Sequence, residues 1–472
     1  RRRTLAETKG HYPAPELALD AVEKGFAKDL SEGLKIEAEL LGKAIVTPVS
    51  KNLIKIFYLT EKIKKDPGVE NYTGPIQQFH KIGVLGAGVM GGGIAQLMAH
   101  NNLPARMKDV NLAYVAKGME AAAKIFSEAV KKRRLTPKEM QNKMALISGT
   151  ADYSGFKNVD LVIEAIVEKM DIKKQVFAEI DNIVPAHCIL ASNTSSLSIT
   201  EMAQATKRPE KFAGLHFFNP VHRMPLIEVI RGASTSDATV ASLVAFAKKI
   251  GKTPIVVKDS PGFLVNRILG IYLAEAGRLL AEGATIEQVD TALLDFGMPM
   301  GPFHLLDEIG IDVAAKVSHI LAEAFGARMA GDGFLDKIAE SGRLGKKSGK
   351  GFYIYEGKNK KIDPAIYGFV GKAGKFEQTA AEIQDRCVLP MINEAARCLA
   401  EGLVRQPEDV DAGMIFGTGF PPFRGGLLRY ADARGLDNIV GKLETLAGKY
   451  GERFKPAEKL VEMQQSGKKF YS

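Results

Sequence analysis

The chain has 472 residues, 46% of them hydrophobic, enough for about three domains at ~150 residues each and for a substantial core. No apolar stretch approaches the ~18 residues that a membrane span requires, so no transmembrane segment is expected. The 64 Lys plus Arg against 55 Asp plus Glu give a net charge of +9, spread along the chain rather than gathered in a tail. Such a balance suits anionic ligands weakly and argues for no nucleic-acid partner.

Cys188, Cys387 and Cys398 form no CxxC pair and fall in apolar runs. They read as small buried hydrophobes from a reducing compartment, with no disulfide and no metal site expected. The opening "RRRTLAETKG" carries neither a methionine nor an apolar signal core, which points to a fragment or processed product rather than an exported precursor. The chain lacks targeting signals, including a Ser-Lys-Leu ending, so the expected location is the cytoplasm of a bacterium.

Residues 1–76 read as a helical linker segment: its helical pattern breaks near Thr47-Pro48 and stops at Asp66-Pro67-Gly68. From His80 strands alternate with helices, through "KIGVLG", "ARMKD", "DLVIEA", "CILASN", "FAGLHFF", "PLIEVI" and "TPIVVKD". That alternation implies a doubly wound, Rossmann-like α/β domain over residues 77–258, built on a parallel sheet covered on both faces. After Pro261 helical periodicity takes over and the chain repeats itself. Arg267 aligns with Arg386, Glu275 with Glu394, Ala281-Glu-Gly283 with Ala400-Glu-Gly402, and Pro302-Phe303 with Pro422-Phe423. Two related all-α domains follow, 259–372 and 373–472, with "GRLGKKSGKGFYIY" between the copies. This half is expected to be structural and to supply one wall of a cleft.

"GVLGAGVMGGGIAQ" places Gly86, Gly88 and Gly91 in GxGxxG spacing, directly after an apolar strand and before a helix. The first glycine permits the tight turn, the second lets a pyrophosphate approach the backbone, and the third lets helix and strand pack closely. Asp109 ends the second strand at the distance where a carboxylate accepts from an adenosine ribose, which favours NAD over NADP. Arg106 and Lys108 beside it weigh the other way. "ILASNTSSLSI" ends a buried strand in a hydroxyl-rich loop, placed either to touch cofactor and substrate or to cap the next helix.

His216 and Glu228 stand inside two apolar runs, where a buried carboxylate costs several kcal/mol unless it is paired. On neighbouring strands ~4.8 Å apart the two side chains can meet. A carboxylate on one imidazole nitrogen prepares the other to take a proton from an alcohol. A structural ion pair is the bland alternative, and the adjacent dinucleotide motif tips the balance toward catalysis. His222, in the connecting loop, reads as exposed. Asn266, just inside the helix after "DSPGFLV", reads alone as packing. Lys131-Lys-Arg-Arg134 reads as a solvated face before it reads as a phosphate site.

GAGVMG, SNTSSLSI, HFFNPVHRMPLIEVI, DSPGFLVNRI and SGKGFYIY occur in the order found in the L-3-hydroxyacyl-CoA dehydrogenases of fatty-acid β-oxidation, and residues from about 80 to 470 resemble that family. The resemblance is closest to the dehydrogenase portion of the multifunctional proteins, which carry the second helical copy. It implies oxidation of (3S)-3-hydroxyacyl-CoA thioesters to 3-ketoacyl-CoA by NAD, with a thiolase subunit as a candidate partner. His216 corresponds to the catalytic base and Glu228 to its electrostatic partner, while Ser195, Asn266 and Asn219 match substrate-site residues. The loop Gly86-Ala87-Gly88-Val89-Met90-Gly91 and Asp109, Ala165, Glu168, Lys173, Asn193 and Ser195 match cofactor contacts. Read without the resemblance, Glu168 and Lys173 belong to a solvated helix start. Multifunctional relatives place a hydratase domain ahead of this region, and the roughly 76 residues here cannot hold one, so hydratase activity is not expected. Two rival readings are a non-catalytic NAD-binding assembly subunit and a dehydrogenase of small hydroxy acids.

Overall fold

The apolar tetrapeptide Ile82–Leu85 is buried at every position and forms the central strand β1 of an eight-stranded sheet. The computed structural model describes residues 1–472 except 332, 358, 371–375 and 472. The other strands are β2 (Ala105–Lys108), β3 (Ile147–Thr150), β4 (Leu161–Glu164), β5 (Ile189–Ser192), β6 (Phe212–Phe217), β7 (Leu226–Arg231) and β8 (Thr253–Lys258). Their order is β3-β2-β1-β4-β5-β6-β7-β8. The order reverses between β1 and β4, the switch point outside whose strand ends a doubly wound sheet binds its ligands.

The sheet departs from the all-parallel expectation at one joint. β6 and β7 pair antiparallel, so β7 and its parallel neighbour β8 run against the other six strands. The connection 218–225 explains this, because a parallel return needs a crossover of a dozen or more residues. β3 is absent from the sequence reading for a different reason. It is an edge strand with only Ile147 and Thr150 buried, and so presents no apolar run.

The chain forms two units: an α/β unit of Ile63–Arg267 with Glu401–Arg405, and a helical unit of Arg1–Lys62, Ile268–Ala400 and Gln406–Ser472. The four-part division drawn from the sequence is finer than this partition, and its boundary at 372/373 lies outside the described residues. The segment read as a linker contributes its first 62 residues to the helical unit. There Asn52 Nδ2 donates to the Phe423 carbonyl at 2.9 Å, and the His11 ring stacks on Phe423 at 4.3 Å.

The duplication is visible as reciprocal ion pairs. Arg267 of the first copy makes a two-pronged bond to Glu401 of the second, and Arg386 of the second makes one to Glu282 of the first. Further along, the geometry corrects the repeat register. Asp290 accepts the backbone N–H groups of Phe303 and His304 and the Tyr353 hydroxyl, whereas Asp411 accepts those of Leu428 and Arg429 and the Tyr471 hydroxyl. A Cβ on Gly301 would strike Asp290 at 2.1 Å, and one on Gly426 would strike Asp411 at 2.3 Å. Gly301 is therefore the counterpart of Gly426, and the Pro302-Phe303 with Pro422-Phe423 alignment is out of register. "GFYIY" likewise belongs inside the first copy, because its Phe352-Tyr353 amides bind Asp307 as those of Phe470-Tyr471 bind Asp432.

Tyr353→Phe or Tyr471→Phe removes one donor from a buried carboxylate. Each is expected to lower stability by about 1–3 kcal/mol, measured by thermal or denaturant unfolding. Tyr58→Phe, at an exposed position, should leave the midpoint unchanged.

Candidate active site

The loop after β1 shows why each glycine stands where it does. Gly86 adopts φ +97°, and a Cβ there would lie 2.5 Å from the Ala165 carbonyl at the end of β4. Gly91 lies in the first turn of the helix Val89–His100, where a Cβ would sit 1.9 Å from the Gly86 carbonyl. Gly88 caps that helix, and a Cβ on it meets nothing within 4 Å. The middle glycine therefore leaves open space at a helix N-terminus, the feature that admits a pyrophosphate to backbone N–H groups. Val89 is exposed and Met90 half-buried in the same turn.

Asp109 follows β2 directly and its carboxylate bridges to the loop: Oδ2 accepts the Ala87 N–H and Oδ1 the Val110 N–H, both at 2.7 Å. The two cations that weighed against NAD are engaged elsewhere. Arg106 Nε donates to the Ser154 carbonyl at 2.8 Å, and the Lys108 ammonium lies 4.4 Å from the centre of the Tyr153 ring. Gly88 and Asp109 together fit a dinucleotide with a free ribose 2′-hydroxyl.

At the ends of β4 and β5 stands a buried polar network. Glu164 is fully buried; its Oε1 accepts from the Lys173 ammonium at 2.6 Å and from the Ile166 N–H at 2.7 Å, and its Oε2 from the Ser192 hydroxyl at 2.6 Å. Lys173, 1% exposed, also reaches Glu168 Oε2 at 3.1 Å. Glu168 Oε1 in turn accepts the Thr194 hydroxyl at 2.5 Å and the Ser195 N–H at 3.0 Å. Burial pushes the Glu168 carboxyl up, but the Lys173 charge and these two donors outweigh it, and it ends below the usual range. The bare reading of Lys173 as part of a solvated helix start is thus overturned: it is enclosed and spent on two carboxylates. Glu164 escaped the sequence reading because it ends an apolar strand and its partners come from other elements. An acid closing a buried strand was the available signal.

The hydroxyl-rich loop divides its labour. Ser198 caps the helix Ile199–Ala203, whose start is also held by Asp259: the Ser198 hydroxyl and the Ile199 and Thr200 amides donate to that carboxylate. Ser195 remains beside Glu168, and its carbonyl accepts from Asn266 Nδ2 at 3.0 Å. Asn193 Oδ1 accepts the Phe217 N–H at 2.8 Å, so it stitches the end of β5 to the end of β6, next to His216.

His216 and Glu228 are direct cross-strand partners on β6 and β7, with Nδ1 2.7 Å from Oε2. Glu228 is fully buried, and its Oε1 accepts the Leu264 and Val265 N–H groups at 3.1 Å each. Those amides open the helix Val265–Ala281, whose N-terminal end favours negative charge. The left-handed pair Gly262 and Phe263, φ +72° and +52°, turns the chain so that the amides face the carboxylate. With Glu228 an acceptor at both oxygens, Nδ1 of His216 carries its proton and Nε2 is left to accept another. The Phe218 and Phe263 rings lie 4.5 and 5.9 Å from the imidazole centre. Asn219 and His222, in the loop after β6, are exposed, as are all four residues of the basic run 131–134.

Comparisons with known proteins agree with this geometry. A family model described as "3-hydroxyacyl-CoA dehydrogenase, NAD binding domain" matches residues 81–260. A second, "3-hydroxyacyl-CoA dehydrogenase, C-terminal domain", matches twice, at 262–355 and 383–471, in accord with the helical duplication. The fatty acid oxidation complex subunit alpha of Shewanella loihica is 44% identical over 468 residues, 98% of this chain, and the chain spans 66% of that relative's length. Among solved structures, 3-hydroxybutyryl-CoA dehydrogenase from Escherichia coli is similar with a TM-score of 0.73 at 29% identity, over 83% of this chain and 100% of that one. The dehydrogenase part of multifunctional enzyme 1 from C. elegans gives 0.62 at 25% identity, over 88% and 99%. (S)-3-Hydroxybutyryl-CoA dehydrogenase from Ralstonia eutropha gives 0.56 at 41% identity, over 59% and 100%. With its GxGxxG turn, its cross-strand His–Glu pair and its doubled C-terminal module, the chain belongs to the 3-hydroxyacyl-CoA dehydrogenase family of NAD-binding oxidoreductases.

Proposed function

We propose that this chain oxidises (3S)-3-hydroxyacyl-CoA to 3-ketoacyl-CoA, with His216 as general base and Glu228 as its electrostatic partner. The observation that carries the reading is the 2.7 Å contact between Nδ1 and a fully buried carboxylate, on the same sheet as the dinucleotide turn. NAD, when bound, supplies the acceptor for the hydride that leaves C3. His216 Nε2 takes the hydroxyl proton, and Glu228 stabilises the imidazolium that results. The two backbone donors on Oε1 keep the Glu228 side chain oriented, so the imidazole need not reorganise as charge develops. Ser195 and Asn266, tied to one another and to Glu168, offer polar groups to the substrate oxygen and the cofactor. Gly88 and the helix start behind it hold the pyrophosphate, and Asp109 the adenosine ribose. A role within a fatty acid oxidation complex is the wider form of the proposal, supported by the similarity to a Shewanella protein described as a subunit of such a complex; the thiolase partner that the sequence resemblance implies is tested by co-purification.

NADH formation from 3-hydroxyacyl-CoA thioesters, followed by absorbance, tests the reading. His216→Gln should lower kcat by roughly 10²-fold or more while the fold and NAD binding persist. Near-normal turnover in that variant would remove His216 from the mechanism. Glu228→Gln should also lose activity, together with some stability, because an amide nitrogen replaces one accepting oxygen and leaves a buried donor without its acceptor.

The three glycines give a second test. Gly88→Ala, at an open position, should preserve the thermal midpoint yet weaken NAD binding roughly tenfold or more, as expected where a side chain intrudes on a backbone–phosphate contact. Gly91→Ala drives a Cβ into the Gly86 carbonyl and should destabilise the α/β unit itself. Titration of NAD with each variant, beside thermal unfolding, separates the two outcomes.

A further inference from the structure

Lys252, at the turn between the helix Asp237–Lys249 and β8, is 9% exposed, and among the described residues its ammonium pairs with no carboxylate. It donates instead to two backbone carbonyls, Val221 at 2.5 Å and Met224 at 2.6 Å. Burial alone pushes its pKa down to about 8. Placing an ammonium there is costly, and the two carbonyls offset part of the cost. Both lie in the loop 218–225 that joins the base strand to the carboxylate strand. The loop is closed on itself by the Arg223 and Met224 N–H groups donating to the Pro220 carbonyl, and its far end is held by the Thr253 N–H on the Pro225 carbonyl. A single turn closed in this way leaves its last carbonyls without partners, and a cation at that end is the favourable complement.

The length and shape of this loop set the register of the antiparallel pair. A slip of one residue would turn Glu228 to the opposite face of the sheet and take it from His216. The loop also carries Asn219 and presses Val221 against Gly93 on the dinucleotide-binding helix, where a Cβ would lie 3.1 Å from Val221. We infer that Lys252 is a positioning residue for the dehydrogenase reaction, its ammonium fixing the loop 218–225 so that His216, Glu228 and Asn219 keep their productive arrangement. The inference rests on the proposed roles of His216 and Glu228.

The test compares Lys252→Met, Lys252→Gln and Lys252→Arg in the full chain, by steady-state kinetics with 3-hydroxyacyl-CoA and NAD and by thermal unfolding. Lys252→Met should lower kcat roughly 10–100-fold, the usual effect of a sub-ångström to 1 Å misplacement of reacting groups, while KM for NAD stays within about twofold. Lys252→Arg, which keeps the cation and its donors, should recover most of kcat. Hydrogen exchange should show faster amides in 218–225 for the Met variant and not for the Arg variant. Should Lys252→Met fail to fold, Lys252→Gln carries the same expectation with a neutral donor in place. Unchanged kcat in whichever of the two folds, or a loss that Lys252→Arg does not recover, overturns the inference. His216→Gln run in parallel keeps the two readings apart: if it retains turnover while Lys252→Met does not, the base assignment fails and the loop anchor stands.

Discussion

A carboxylate with no solvent exposure, Glu228, is the constraint around which the α/β unit is arranged. An ion so placed is tolerated only when its lone pairs are met, and here three donors meet them: the His216 imidazole and two consecutive amides of a helix start. The donors come from two distant parts of the chain, so satisfying one side chain fixes β6 against β7 and both against the first turn of the helix Val265–Ala281. The arrangement that stabilises the ion also leaves Nε2 of His216 as the one basic atom of the pair. Structure and the proposed chemistry rest on the same three bonds.

The same device recurs across the chain. Asp259, Asp290, Asp307, Asp411 and Asp432 each accept two successive backbone N–H groups, as Glu228 does. Two adjacent amides at a turn or helix start form a shallow positive cradle, and a carboxylate brought from a distant element fills it. Asp259 is the instance that bears on the site, since it holds the start of the helix Ile199–Ala203 and so the end of the loop that carries Ser195. In the helical unit the four aspartates occur as two equivalent sets, so the duplication is written in the bonding pattern as well as in the sequence.

Beneath the hydroxyl-rich loop the economy is different. Glu164 and Glu168 both contact one ammonium, that of Lys173. Hydroxyl and amide donors from Ser192, Thr194 and Ser195 also meet the two carboxylates. Those donors are thereby committed, which fixes the loop and leaves Ser195 presented by a framework rather than by its own rotamer preference. Asn266, holding the Ser195 carbonyl, completes the link from the buried strand ends to the helix that caps Glu228.

Much of this was legible in the residues alone. Glycine spacing, the acid after the second strand and the two apolar runs interrupted by His216 and Glu228 are local signals, because turn geometry and strand burial act over a few neighbouring residues. The two glutamates of the buried cluster, Lys252 and the register of the helical copies were not legible in that way. Lys173 sits at a helix start that looks solvated, and only the fold brings Glu164 over it; Lys252 lies in an ordinary turn, and its two carbonyl partners lie 28 and 31 positions earlier in the chain. The sequence by itself determined seven of the eight strands of the large sheet, the turn that suits a dinucleotide and the histidine and acid that can meet across neighbouring strands. Tertiary structure alone decided who partners the other buried charges, Glu164, Lys173 and Lys252 among them, since that pairing is made between separate elements and is enforced by the cost of leaving an ion without a partner away from water.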